Sequence, residues 1–264
     1  MEHLSFLLLP FFACIALVLI HAYFGIHILE RGIVFVDIAM AQFIGIGIAL
    51  SFYFGNEKHY LMALMFALLG SLILAFIRKA EKIVNIEAFI GVLYVFSFAL
   101  ATLILDKSPH GGEEFKSILS GNILWVTKHE VIYAYILYII IGAFHLFFRK
   151  NFFAITFEGK RNNFWEFLFF FTFGLVLVKS VVMAGVLTVF SFLIIPALIG
   201  RLFSKRFFPS LVIGYLAGTV ATFISIYISY KFDFPTSPLI VTIMSFFYFA
   251  VLTLKIFKGK EGGV

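Results

Sequence analysis

Nine stretches of this chain stay apolar for long enough to cross a lipid bilayer, and that leaves little else for it to fold into. Bilayer hydrocarbon is about 30 Å thick, so a helix needs about 20 apolar residues to span it. The candidates are residues 4–28, 34–54, 60–77, 88–105, 131–148, 164–184, 186–203, 211–230 and 239–257. A spanning backbone finds no water in the hydrocarbon and must satisfy its own polar groups, so each stretch is expected to be a helix. The expected fold class is all-α: a polytopic membrane protein with about nine transmembrane helices. Eight is the alternative, because Gly185 alone separates the sixth stretch from the seventh. Composition agrees, with 62% hydrophobic and 13% charged residues, outside the range of soluble domains. No Pro/Gly/Ser-rich linker divides the chain, so residues 1–264 are expected to form a single transmembrane domain.

Charge placement orients the spans. Arg31; Arg78, Lys79 and Lys82; Arg149, Lys150, Lys160 and Arg161; Arg201, Lys205 and Arg206; and Lys255, Lys258 and Lys260 fall on alternate connections. The positive-inside rule puts all of them in the cytoplasm. Nine crossings with the N-terminus outside satisfy every group. The net charge of +6 is then a topology signal and not a nucleic-acid footprint. The outer connections are 56–59, 106–130, the Gly185 turn and 231–238. The one cysteine, Cys14, rules out a disulfide framework and a multi-cysteine metal site. The first apolar stretch has no basic residues before it, and it is expected to remain as a span and not to be cleaved as a signal peptide.

One acid lies within the second stretch. Burying a carboxylate in hydrocarbon costs at least about 3 kcal/mol, so intramembrane acids are rare and point into protein or a watery path. At 3.6 residues per turn, Asp37, Ala41, Gly45 and Ala49 share a face almost free of side chains, which suits a close helix crossing. Met40, whose thioether could act as a soft ligand, is one turn on, and Gln42 is on the adjoining face. Two readings follow: an ion or proton station, or a buried acid that hydrogen-bonds a neighbouring helix and only fixes packing.

Two further stretches carry polar features. In 178–203, Pro196 removes the hydrogen bond to the carbonyl of Phe192, with Thr188 and Ser191 close by on one face. That carbonyl must be re-satisfied by a side chain, water or passing cation, or the kink is simply packed by neighbours. In YKFDFPTSPLIV, Asp233 sits at the outer rim, and Thr236, Ser237 and Pro238 read as caps and first-turn residue of the last helix. The eighth stretch spaces Ser210, Gly214, Gly218 and Thr222 four apart, a pattern for tight helix crossing within or between subunits. Glu87 and Glu166 fall at inner ends, within expected reach of water. His3, His59, His110 and His129 fall on outer segments, His21 is expected to hydrogen-bond within the bundle, and His27 and His145 carry no assigned role. There is no GxxxxGK[ST] loop, no HExxH and no grouped Ser, His and acid, so ATP binding by a Walker motif and hydrolytic chemistry lack their residues.

Four blocks in register give the chain a family likeness: LERGIVFVDIAMAQFIGIGIA, ILSGNILWVT, AGVLTVFSFLIIPALIGRLF and FDFPTSP. Together they resemble the permease subunits of ABC importers for transition metals, the zinc, manganese and iron uptake class. The likeness covers nearly the whole chain. It departs where that family has a histidine four residues after the acid, because Ala41 stands there, followed by Gln42. Glu30 also replaces a usual arginine, and the inner segment 151–163 is shortened.

The resemblance implies a type II ABC importer permease, residues 1–264, in the cell (inner) membrane. Its cargo would be a divalent transition-metal ion, with no permanently bound cofactor. Partners would be a cytoplasmic ATP-binding subunit that hydrolyses ATP, so that this chain is no enzyme, an extracytoplasmic metal-binding protein, a second copy in a homodimer, and the lipid bilayer; no nucleic acid is implied. The transport path would use Asp37, Met40, Gln42, Ser191 and Asp233, with Pro196 as the helix kink. Contact with the ATPase would fall on Phe153, Phe157, Glu158 and Lys160, read as an exposed aromatic cluster between spans or as an interfacial helix on lipid headgroups. The competing class is a stand-alone proton-coupled secondary carrier with Asp37 as the coupling acid. Against it, no inverted halves are visible in the sequence.

Overall fold

In the computed structural model, which describes residues 2–55, 59–77, 83–108, 111–121 and 123–261, the apolar stretches are helices and no strand occurs among the described residues. Arg78, Lys79, Lys82 and His110 lie outside the described residues. The helices are α1 (Glu2–Glu30), α2 (Val36–Tyr53), α3 (His59–Ile77), α4 (Ile86–Leu105), α5 (Gly111–Ser120), α6 (Lys128–Phe147), α7 (Arg149–Phe157), α8 (Asn163–Ala184), α9 (Val186–Phe203), α10 (Phe207–Phe232) and α11 (Thr236–Glu261), with a 3-10 turn at Ile123–Trp125. Among the described residues, nine are long and apolar enough to cross a membrane, all except α5 and α7. These are the nine stretches expected, with α10 and α11 each starting a few residues earlier.

Side-chain size decides which helix sits where. α2, rich in Ala and Gly, is the most enclosed, with 78% of its spanning window buried, while α11 at the periphery has 11%. α2 packs against α3 and α4, α3 also against α8, α1 against α9 and α10, and α11 against both of the latter. The close approach on α2 comes at Gly47, where a Cβ would sit 2.6 Å from the Met62 carbonyl oxygen of α3. It does not come on the Asp37–Ala41–Gly45–Ala49 face as the spacing suggested. Gly45 meets only the Ile118 side chain of α5 and its own helix, at ordinary contact distance.

Local chemistry sets the helix ends. Thr127 and Glu130 form a reciprocal capping box at the start of α6, Asn85 caps α4 through the Ala88 amide, and Asn162 caps α8. Each satisfies amides that helix geometry leaves without partners. At Gly185 the chain turns with φ 76°, and α8 and α9 are two separate helices. The basic connections gather at one end of the bundle. Arg31 pairs with Glu166 at the start of α8, and Arg201 at the end of α9 pairs with Glu30 at the end of α1. Lys255 of α11 reaches the Leu202 carbonyl at the same end. We call this the inner end; both ends of the α8–α9 pair lie there, so the pair makes two crossings.

At the outer end the chain closes on itself without charge. Gly121, with φ 59°, and Gly185 pass backbone to backbone, and a Cβ on either would collide with the other's main chain. Only glycine tolerates both that conformation and that approach. This is why ILSGNILWVT carries its glycine. Ser237, in the first turn of α11 as expected, is 5% exposed and donates to the Ala184 carbonyl across the same closure.

The eighth-stretch glycines pack within the protomer. A Cβ on Gly214 would lie 2.5 Å from the Pro196 carbonyl oxygen, and one on Gly218 would meet the Pro196 ring. α9 runs unbroken through Pro196, and the proline is seated against the glycine face of α10.

Candidate functional site

α2 starts at Val36, so Asp37 lies in its first turn and not deep in the span. A helix start presents unsatisfied amides and the positive end of the helix dipole, which favour negative charge. Even so, the carboxyl is 0% exposed and neither oxygen has a hydrogen-bond partner. The packing-only reading required a bond to a neighbouring helix, and none is present. A buried acid without partners is destabilising, and such groups persist where function demands them.

The other expected path residues lie in three places. Met40, 0% exposed, is wedged between α3 and α8, where Cβ atoms on Gly70 and Gly174 would touch its sulfur and methyl carbons. It fills the pocket made by those glycines. Ala41 and Gln42 are buried beside it on α2, 1% and 2% exposed. Ser191 is buried on α9 and donates to the Leu187 carbonyl of its own helix, while the neighbouring Thr188 hydroxyl is buried without a partner. Asp233 caps α10 at the outer end, in the left-handed region at φ 53°, across the membrane from Asp37. The structure therefore does not gather these residues into one cluster. Among the described residues, no group of three or more His, Cys, Asp or Glu could together hold a metal ion.

Glu87, expected at an inner end within reach of water, is instead drawn against the start of α2. Its Oε1 accepts the Phe35 amide at 3.2 Å, just ahead of Asp37, and its Oε2 is buried without a partner. Arg31, Gly32, Asn85 and Glu87 line a cavity of about 300 Å³ at this inner end of α2. A second acid and a polar hollow thus stand between Asp37 and the inner surface. Only the α2–α4 packing reveals this, because the two acids are far apart in sequence.

A second polar centre holds α7. Arg31 Nη1 lies 2.8 Å from Glu166 Oε2, and the two side chains are 1% and 7% exposed. Arg31 Nε donates to Thr156 of α7 at 3.1 Å, and His27 Nδ1 hydrogen-bonds the same hydroxyl at 2.8 Å. The guanidinium carbon sits 4.0 Å from the centre of the Phe169 ring. His145 joins Tyr23 and Thr172 and stacks on Phe152 of α7 at 3.9 Å. Glu166, expected to reach water, is instead buried in an ion pair.

α7 also presents a different surface from the one expected. Phe153 and Phe157 turn inward onto His27 and Phe207, and Phe157 keeps 38% exposure. These aromatics seat the helix. The open side is polar, with Glu158 and Lys160 paired at 2.8 Å and largely exposed, beside a cavity of about 980 Å³ bordered by Arg149, Lys150 and Arg161.

Nine helices long and apolar enough to span a bilayer, among the described residues, define a polytopic membrane protein. The chain belongs to the ABC 3 transport family, whose model matches residues 3–255. This bears out the resemblance carried by the four sequence blocks. The manganese transport system membrane protein MntC of Listeria monocytogenes is 24% identical over 265 residues, covering 98% of this chain and 92% of that one. A protein of Haemophilus influenzae named "Probable iron transport system membrane protein" is 26% identical over 252 residues, 91% and 86% of the two chains. Among solved structures, PsaBC from Streptococcus pneumoniae in complex with Fab superposes with a TM-score of 0.77 at 23% identity, over 93% of this chain and 90% of that one. An ABC transporter of metal-chelate type in an inward-facing conformation gives 0.74 at 16% identity, over 93% and 85%. The likeness to these two structures is one of fold.

Proposed function

We propose that this chain is the transmembrane permease subunit of an ABC importer for a divalent transition-metal ion, working in the cell (inner) membrane. The observation that carries the reading is Asp37, a fully buried carboxylate whose two oxygens have no protein partner. It is a hard oxygen donor at the inner end of the central helix, above a second acid, Glu87. Relatives named for manganese and iron transport support that cargo. With Ala41 at the histidine position, no imidazole stands beside the acid. Losing the imidazole removes a donor that suits zinc and iron, while the carboxylate that remains suits manganese. One carboxylate holds a passing ion weakly, as conduction requires, because a transport site must release as readily as it binds.

In this reading two copies form a homodimer. A separate cytoplasmic ATP-binding subunit docks on the polar side of α7, at Glu158 and Lys160, and an extracytoplasmic metal-binding protein delivers the ion outside. The chain itself hydrolyses nothing. Nucleotide-driven motion of α7 would reach α1 and α8 through Thr156, Arg31 and Glu166. The stand-alone proton-coupled carrier has no observation in its favour.

Proteoliposomes holding the chain with its ATP-binding partner and metal-loaded binding protein test the reading. ATP should drive uptake of manganese or iron, and a pH gradient without ATP should not. Uptake by the chain alone, driven by the pH gradient and indifferent to ATP, would overturn it in favour of the carrier.

A further inference from the structure

Between α1, α6 and α10 lies a groove of about 800 Å³ that the transport reading does not use. Leu19, Ile139, Leu146, Leu211 and Tyr215 give it an apolar lining. The hydroxyls of its other tyrosines are already engaged: Tyr135 donates to the Phe12 carbonyl, Tyr138 bonds Ser180, and Tyr23 bonds His145. Ring carbon and aliphatic surface are therefore what the groove offers. Its inner end has the opposite character. Arg149, where α6 gives way to α7, lines it and has no ion-pair partner among the described residues. Phe207 lines the same end, directly after Arg206.

An apolar slot along the membrane normal, with the positive charge of Arg149 at its inner mouth, matches one kind of molecule. From Tyr135 to the end of α6 the groove follows about 18 Å of helix at ~1.5 Å per residue, a little over the hydrocarbon depth of one leaflet. Basic pockets between spans on the cytoplasmic side suit anionic headgroups. A second copy of this chain fits less well, because a two-fold contact through this face would set Arg149 and Arg206 against their own copies. We propose that the groove holds an anionic glycerophospholipid of the inner leaflet, its phosphate at Arg149 and one acyl chain running outward past Gly142 and Ile139. Phe153 of α7 also lines the inner end, so the bound lipid braces α7 from behind.

The test uses the full chain purified in mild detergent, with phosphatidylglycerol or phosphatidylcholine added and retained lipid read by native mass spectrometry. Wild type should keep phosphatidylglycerol in preference to phosphatidylcholine, and its melting temperature should rise with the former. Gly142 lines the groove, and a Cβ there would meet nothing within 4 Å, so Gly142→Phe or Gly142→Leu should fill the slot without disturbing the fold. Both variants should melt as wild type without lipid, and lose the retained phosphatidylglycerol and the stabilisation it brings. Arg149→Gln should lower the preference about fivefold, the effect of one basic residue near an anionic surface. Equal retention by wild type and a folded Gly142 variant would overturn the proposal, and so would a preference unchanged in Arg149→Gln. Loss of a dimer in the Gly142 variants with lipid unchanged would assign the groove to a second copy and equally overturn it.

Discussion

Glu166 and Asp37 are both buried acids toward the inner end of the bundle, and their surroundings differ in almost every respect. Glu166 is held by Arg31 at 2.8 Å, within a network that joins α1, α7 and α8. Asp37 has nothing on either oxygen. Desolvating a carboxylate is expensive at both places. At Glu166 the protein supplies a counter-charge, and the acid has become part of the framework. At Asp37 it supplies only the start of a helix, leaving the oxygens open to something that comes and goes. The satisfied acid belongs to the framework, and the unsatisfied one is the acid we propose for the transport path. The same contrast separates the two sides of α7, whose aromatic back is fixed to the bundle while its Glu158–Lys160 face is free in solvent.

The contrast is sharpest under neutralisation of each acid. Asp37→Asn keeps size and hydrogen-bonding capacity but removes charge, so the protein should assemble at normal yield and lose most metal uptake. Its melting temperature should stay close to that of wild type, because the buried acid has no hydrogen bond to lose. Near-normal uptake by a well-expressed variant would end the assignment of Asp37 to the path.

Glu166→Gln should do the reverse. Removing one partner of a buried pair costs about 3–5 kcal/mol, so thermal denaturation should show a large loss of stability and membranes should hold less protein. Replacing both partners, Arg31→Leu with Glu166→Leu, should recover part of that loss relative to either single change, since no lone charge remains buried. If Glu166→Gln melted as wild type, the network would not be what holds α7.

The smallest effect on stability belongs to the exposed pair. Reversing both charges, Glu158→Lys with Lys160→Glu, should leave stability within about 1 kcal/mol, because solvent-exposed pairs contribute little. Co-purification of the ATP-binding subunit should nevertheless weaken. Undiminished co-purification would move the docking surface elsewhere. Serine at Phe153 would blur this test, since Phe153 packs against His27 and Phe207 and its loss would unseat the helix.

The order and number of spans were legible from residues alone. An apolar run of span length has one low-energy fate in hydrocarbon, and that fate is decided locally. The Thr127–Glu130 box and the Asn85 and Asn162 caps are equally local, but they emerged only with the structure. Basic residues on alternate connections also suffice to set the sides, because charge is excluded from the membrane wherever it lies in the chain. Asp37 stood out because one acid in an apolar stretch is anomalous whatever surrounds it.

Whether a polar group is satisfied depends on what the other helices bring to it, and only the tertiary structure decided that. Glu166 and Asp37 are both acids near the inner ends of apolar helices. Arg31, more than a hundred residues from Glu166 in sequence, makes one of them a structural ion pair. Nothing makes the other so. Phe153 and Phe157 read as an exposed patch, and α10 brings Phe207 against both while Phe157 stays 38% exposed. Gly214 and Gly218 could have served a contact between copies until Pro196 took their face. In each case the residue announced a need, for a partner or for a close neighbour, and packing over long separations determined which residue answered it.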